Sequence, residues 1–95
     1  MVRVKLIGSF VSYAQTDEIE LMTTQQVTIL ELIQMMRHDK AGEKLVRMIL
    51  DPELNDPRPN TIILINGTEI GALDGVDTLV GIDDVVTMLP VTHGG

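Results

Sequence analysis

The first part of the chain alternates between polar and apolar residues. A period of two runs over residues 2–7 and recurs over residues 18–22, and this period is typical of half-buried β-strands. Gly8-Ser9 is expected to interrupt the first strand, and residues 10–17 are predicted to form a loop. The positions expected to face the core are Val2, Val4, Leu6, Ile19 and Leu21. The two strands therefore predict a β-hairpin.

The hydrophobic period then becomes helical. Thr28 and Glu31 have the spacing of a capping box, in which each side chain bonds a free backbone N–H at a helix start. Behind them an apolar stripe at i, i+3, i+4 and i+7 predicts the main helix, with Ile29, Leu32, Ile33 and Met36. A shorter stripe after Gly42 predicts a short second helix, with Leu45, Met48 and Ile49. Three prolines within residues 51–60 predict a loop.

The second half of the chain is expected to be mostly β-structure. Thr61–Ile65 is a short run rich in β-branched residues, which predicts a strand buried on both faces. Asn66-Gly67 is a strong hairpin-turn signal, and a weak strand is expected at Glu69 and Ile70. The last strand is predicted over residues 84–89, ending at Pro90. This order predicts an α+β fold with a helix across a mixed four- or five-stranded sheet, whose first and last strands could pair in parallel at the centre.

Composition limits the class of protein. The chain has 95 residues, of which 44% are hydrophobic, so we expect one small globular domain. The net charge of −7 argues against nucleic-acid binding and suits a basic partner. The absence of cysteine excludes disulfides and thiolate chemistry. No apolar run approaches the ~20 residues of a membrane span, and no signal-peptide pattern opens the chain, so we expect a cytoplasmic protein.

The last residues suggest the chemistry. The sequence closes on Gly94-Gly95, and we expect a free carboxylate on Gly95. This group would be ionised at pH 7, since its reference pKa is about 3.5. Glycine has no Cβ, so a diglycine segment can pass through a narrow channel. We therefore expect Gly95 to be the reactive position, with Gly94 beside it.

Three segments carry a resemblance to a known family. They are Ile65-Asn66-Gly67-Thr68-Glu69-Ile70, the stretch from Leu79 to Val85, and the ending Leu89-Pro90-Val91-Thr92-His93-Gly94-Gly95. Together they resemble the MoaD/ThiS family of ubiquitin-like sulfur carriers. The ending is also similar to that of the ubiquitin-related modifier and of small archaeal modifiers. The resemblance implies a β-grasp (ubiquitin-like) domain over residues 1–90 and a flexible diglycine tail over residues 91–95.

The resemblance also implies a function in which the chain is not an enzyme. A separate E1-like adenylating enzyme of the MoeB/ThiF type would use ATP to adenylate Gly95, and sulfur transfer would leave a thiocarboxylate for molybdopterin, thiamine or tRNA thiolation. The chain itself would bind no cofactor and could be the small subunit of a synthase. The alternative is a protein modifier joined through Gly95 to lysines of its targets. A third reading is an interaction module that only resembles a carrier.

Two sets of residues are expected to contact partners. In the tail they are Val91, Thr92 and His93, of which His93 is more readily a fitted tail residue than a proton carrier. In the last strand and in Thr61–Ile65, apolar residues occur at both odd and even positions, so they cannot all face the core side of the sheet. Part of the sheet could therefore face outward as a docking patch. Its candidates are Ile7, Ile62, Leu64, Val86 and Met88. The alternative is that residues 41–60 cover them.

The remaining polar residues give weaker signals. Asp74, Asp77, Asp83 and Asp84 lack the spacing of a calcium loop and are expected to serve turns or caps, or an acidic patch for a basic partner. His38 is expected to be solvated at a helix end. The glycines do not form a nucleotide-binding loop. No metal site is predicted.

Overall fold

A five-stranded mixed sheet organises the computed structural model, which describes residues 1–92. The strands are β1 (Val2–Leu6), β2 (Glu18–Leu21), β3 (Val27–Thr28), β4 (Thr61–Ile65), β5 (Thr68–Glu69), β6 (Leu79–Val80) and β7 (Val85–Pro90). The α-helices are α1 (Phe10–Ala14), α2 (Ile29–Met35) and α3 (Lys40–Ile49), and two 3₁₀ turns cover Ile70–Ala72 and Gly75–Asp77. The sheet order is β2-β1-β7-β4-β5, while β3 and β6 form a separate small sheet that the sequence did not predict.

The centre of the sheet agrees with the sequence prediction. β1 and β7 pair in parallel, and β2 and β4 join them on either side in antiparallel fashion. The turn between β4 and β5 is Asn66-Gly67, whose φ angles of 48° and 88° both lie in the left-handed region. Parallel pairing of the first and last strands, with helices packed on one face, confirms the predicted α+β, β-grasp class.

Helix α2 begins at the predicted capping box. The Thr28 N–H donates to Glu31 Oε1 at 3.0 Å, and the Glu31 N–H donates to Thr28 Oγ1 at 3.1 Å. Hydrogen bonds that Thr28 donates to the Glu31 carboxylate, chiefly from its backbone N–H and then from its side chain, hold the pKa of the Glu31 carboxyl below its usual value. The side chains that α2 buries completely are Ile29, Leu32 and Ile33. Satisfied N–H groups and the buried stripe together fix this helix against the sheet.

The prediction of a short second helix after Gly42 was wrong in extent. Helix α3 has 10 residues against seven in α2, and Asp39 caps it by accepting from the Gly42 N–H. Its buried stripe includes Gly42, where a Cβ would clash with the Met36 carbonyl oxygen. The stripe at i, i+3, i+4 and i+7 is Gly42, Leu45, Val46 and Ile49. Met48, expected in the core, lies off this face and is 41% exposed.

The prediction of a loop over residues 10–17 was wrong for residues 10–14 and is confirmed for residues 15–17. Phe10 to Ala14 form the one-turn helix α1, which packs against α3. Phe10 is only 2% exposed, and this burial anchors the turn. A helix of five residues is too short to show a helical period in the sequence. Tertiary packing therefore decided this element.

Candidate functional site

The chain leaves the sheet from its central strand. β7 lies between β1 and β4 and pairs through Pro90, which is opposite Thr61. The Val91 N–H then donates to the Asn60 carbonyl at 2.9 Å, which continues the ladder by one step. Val91 is half-buried and Thr92 is exposed. The predicted reactive residues Gly94 and Gly95 lie outside the described residues, as does His93, which was predicted to contact a partner.

A sharp turn at Gly8 lies beside Pro90, the last residue of β7. Gly8 has a φ of +64°, and the Val11 N–H donates to its carbonyl at 3.1 Å. The turn takes the chain out of the sheet into α1 immediately after β1. A Cβ at Gly8 would lie 3.5 Å from the Pro90 ring, an ordinary van der Waals distance. The left-handed conformation therefore explains the glycine.

The loop before β4 lies on the other side of the point where the chain leaves the sheet. Asp56 forms a two-pronged ion pair with Arg58, with Arg58 Nη2 at 2.6 Å from Oδ2 and Nε at 3.0 Å from Oδ1. The Asn60 N–H donates to the Pro57 carbonyl at 3.0 Å, and Thr61 Oγ1 donates to the buried Ile49 carbonyl at 2.9 Å. The proline-rich segment predicted as a loop is therefore tied to α3. This tie positions the Asn60 carbonyl that receives Val91.

We expect Asp56→Asn to lower the unfolding free energy at pH 7 by roughly 1 kcal/mol, the scale of a partly exposed ion pair. The Arg58 hydrogen bonds hold the pKa of Asp56 below its usual value. The contribution is therefore fully present above the unfolded pKa of about 4 and is lost as the pH falls through the lower folded pKa. Urea unfolding at pH 7 and near pH 3 measures it. A difference between wild type and variant that grows on acidification would contradict this assignment.

The outer face of the sheet carries part of the expected docking patch. Ile7 is 47% exposed, Ile62 is 38% exposed, and Leu64 is half-buried. The expectation that Val86 and Met88 face outward was wrong, because both are fully buried. They share the inner face with Val4 and Leu6, to which the parallel register pairs them. The opposite parity of β7 faces outward, with Val85, Thr87 and Leu89 half-buried.

The same geometry corrects two further expectations. β4 is not buried on both faces, since Ile62 is exposed while Ile63 is fully buried. Residues 41–60 do not cover the outer patch, because α3 uses Leu45, Val46 and Ile49 in the core. The sequence pattern missed Leu89, which pairs with Ile62, and Thr87, which pairs with Leu64. The only sequence signal for these two residues was the alternation of side chains along β7. That signal was ambiguous, because both alternating sets of the strand contain apolar residues.

Charged residues border this apolar area on β1 and β2. Arg3 pairs in register with Glu20, and Arg3 Nε lies 3.4 Å from Glu18 Oε1. Lys5 pairs in register with Glu18 on the same face. The outer face thus has an apolar half on β4 and β7 and a charged half on β1 and β2. An apolar area bordered by polar and charged residues is the usual composition of a protein-docking surface.

The weaker candidates have structural roles. His38 is exposed, with Nε2 3.5 Å from Asp39 Oδ2. Asp84 accepts from the Gly81 N–H at 2.7 Å and from Asn66 Nδ2 at 3.0 Å, and so closes the turn before β7. Within residues 1–92, no group of three or more His, Asp or Glu side chains is placed to hold a metal ion. None of the helices in this part of the chain is long and apolar enough to cross a membrane.

Solved structures show the same architecture. The small archaeal modifier protein SAMP1 from Haloferax volcanii superposes with a TM-score of 0.80 at 14% identity, covering 99% of this chain and 98% of that one. SAMP1 from Methanosarcina acetivorans gives 0.73 at 27% identity, covering 99% and 95%. Urm1 from Sulfolobus solfataricus gives 0.65 at 20% identity, covering 94% and 99%. No curated protein sequence matches the chain significantly.

The sequence supplies the family. The model for Urm1, the ubiquitin related modifier, matches residues 2–95 and therefore includes the diglycine. This agrees with the resemblance found in the second half of the chain. Proteins of this type are substrates of E1-like activating enzymes and are not enzymes themselves. The chain belongs to the Urm1 family of ubiquitin-related sulfur carriers and modifiers.

Proposed function

We propose that this chain is a sulfur carrier whose Gly95 carboxylate is adenylated by an E1-like enzyme and converted to a thiocarboxylate. The observation that carries the proposal is the family match, which extends through Gly95. The position of β7 supports it, because this central strand ends at Pro90, only five residues before Gly95. The hydrogen bond from the Val91 N–H to the Asn60 carbonyl fixes where the chain leaves.

The chemistry needs only the terminal carboxylate from this chain. An oxygen of the Gly95 carboxylate attacks the α-phosphorus of ATP, pyrophosphate leaves, and the product is an acyl-adenylate. A hydrosulfide ion then attacks the carbonyl carbon and displaces AMP, a better leaving group than the oxide of a free carboxylate, and loss of the proton leaves the thiocarboxylate. ATP is bound by the activating partner. The described residues of this chain serve as the handle by which the partner holds the tail.

The alternative function is protein modification. The same acyl-adenylate can lead to an isopeptide bond between Gly95 and a lysine of a target protein. The family description as a ubiquitin related modifier favours keeping this candidate. The two functions share the activation step and differ only in the nucleophile that receives the acyl group. The acceptor is therefore either a synthase subunit that takes sulfur or a set of target lysines.

Mass analysis of the chain purified from its own cells separates the two functions. Exchange of one carboxyl oxygen for sulfur adds about 16 Da to the intact mass, which supports the sulfur carrier. Target peptides whose lysine carries a C-terminal segment of this chain through an isopeptide bond to Gly95 support the modifier. Exposure of the purified protein to iodoacetamide should remove the heavier species if it is a thiocarboxylate, because the sulfur is alkylated. Recovery of neither product under sulfur-replete growth would count against both functions.

The outer face of the sheet is the proposed docking surface for the activating enzyme. We expect Ile62→Glu to raise the KM for this protein in ATP–pyrophosphate exchange about tenfold, because a carboxylate would lie at the centre of an apolar contact. Leu79→Glu is the matched control, since Leu79 is 55% exposed on β6 of the separate small sheet. Equal KM values for the two variants would contradict docking on this face. Circular dichroism checks that both variants fold.

A further inference from the structure

A groove lies directly beside the chain exit, on the helical side of β7. It has a volume of about 300 Å³ and is formed where α1, α3 and the end of the sheet meet. The residues that line it are Ser9, Phe10, Arg47, Met48, Asn60, Pro90 and Val91. Two of them, Pro90 and Val91, are the last residues before the exposed Thr92. The groove is therefore continuous with the path of the chain end.

The groove offers an apolar wall and one cation. Phe10 is almost fully buried beneath it, and Met48 is 41% exposed although the hydrophobic pattern predicted it in the core. Pro90 and Val91 are half-buried. Arg47 supplies the charge, with 73% of its side chain exposed. No carboxylate is among the lining residues.

Arg47 shares its carboxylate partner, Glu43, with a second arginine. Glu43 Oε1 lies 3.4 Å from Arg47 Nε, and the same oxygen accepts a 2.7 Å hydrogen bond from Arg37 Nη1. One carboxylate thus serves two arginines, and the shorter contact is the one with Arg37. An exposed pair at 3.4 Å contributes little and exchanges readily for another partner.

The segment of residues 37–47, which contains Arg47, has a net charge opposite in sign to that of the protein as a whole. Residues 37–47 contain four of the seven cationic side chains of the chain and only two of its fourteen carboxylates. The other residues therefore carry three cations against twelve carboxylates, an excess of nine negative charges. Of these four cations, Arg47 is the one that lines the exit groove, so a partner that enters the groove meets a positive charge on an acidic protein. Complementarity then requires an acidic segment on the partner.

We infer that this exit groove is a second contact for the activating enzyme, and that an acidic, partly apolar segment of that enzyme occupies it. The inference rests on the proposed function. An enzyme that binds Gly95 in its nucleotide site must also lie close to Val91 and Thr92. The groove borders these residues. A carboxylate of the enzyme would pair with Arg47, and an apolar side chain would pack on Met48 and Pro90.

The test compares two charge reversals one turn apart on α3. Arg47→Glu should raise the KM for this protein in ATP–pyrophosphate exchange about tenfold with kcat unchanged, and the effect should weaken at high salt. Lys44→Glu is the control, because Lys44 lines a different cleft with Ser12 and Tyr13 and changes the net charge equally. It should alter KM less than twofold. Arg47→Gln, which removes the charge without adding a carboxylate beside Glu43, should show a smaller rise.

The outcomes separate the inference from the proposed function. Equal rises for Arg47→Glu and Lys44→Glu would show a general charge effect and would overturn the groove contact. Faster activation of Arg47→Glu would show that the groove restrains the tail, and this also overturns it. If the wild-type chain is not activated at all, the proposed function fails and the inference fails with it. Wild-type activation that Arg47→Glu leaves unchanged defeats the inference alone.

Discussion

Removal of Gly95 is expected to reduce ATP-dependent activation of this protein by at least about 100-fold. The folded domain would still dock, but the new terminal carboxylate would end one residue short, about 3.5 Å from the required position. Misplacement of a reacting group by about 1 Å can already cost about 100-fold in rate. ATP–pyrophosphate exchange with the activating enzyme measures the loss. The effect should fall on kcat, since the docking surfaces are intact.

Two further variants define what this result means. Gly95→Ala keeps the carboxylate in position and adds a Cβ, so a partial loss would show that the channel around the terminus is narrow. Met22→Ser is the unrelated control, because Met22 is 75% exposed just after β2. Its activation should equal that of the wild type. Activation that persists after deletion of Gly95 would remove the basis of both the carrier and the modifier function.

Truncation of the central residue of α2 should cause the largest loss of stability. Leu32 is fully buried in the stripe that α2 packs into the core. Leu32→Ala is expected to lower the free energy of unfolding by about 3 kcal/mol, through lost burial and the cavity left behind. For a domain of this size the melting temperature should fall by roughly 15 °C. Urea and thermal unfolding followed by circular dichroism measure both quantities.

Leu54→Ala is the matched control for this substitution. Leu54 is 68% exposed in the loop before β4, so the same loss of atoms should change the free energy of unfolding by less than about 0.5 kcal/mol. The comparison isolates the contribution of burial from that of the residue type. A loss for Leu32→Ala no larger than that for Leu54→Ala would show that α2 is not part of the cooperative core.

The parts of the fold that could be predicted were those with a strong local signal. The capping box at Thr28 and Glu31 fixed the start of α2 because its hydrogen bonds join residues three apart. Asn66-Gly67 marked the β4–β5 hairpin because its left-handed φ angles depend on residue type. α1 gave no such signal. It exists because Phe10 finds a buried place next to α3.

The outer face of the sheet shows what the hydrophobic pattern of a strand cannot determine. Both parities of β4 and β7 are apolar, so the sequence left open which residues face outward. The register between β1 and β7 decided it, because it aligns Met88 with Leu6 and Val86 with Val4 on the buried side. The pattern also placed the second helix after Gly42. The structure includes Gly42 in the buried stripe of α3, at a position where a Cβ would clash with the Met36 carbonyl.

The sequence by itself determined the β-grasp order, the main helix and the diglycine at which we propose the chemistry, because each rests on local patterns or on residue identity. The tertiary structure decided which face of the sheet is exposed and where the last residues leave it. It also placed Arg47 beside Val91, although they are more than forty positions apart in the sequence. The physical reason is that strand pairing and helix packing join distant segments through contacts that no local pattern records.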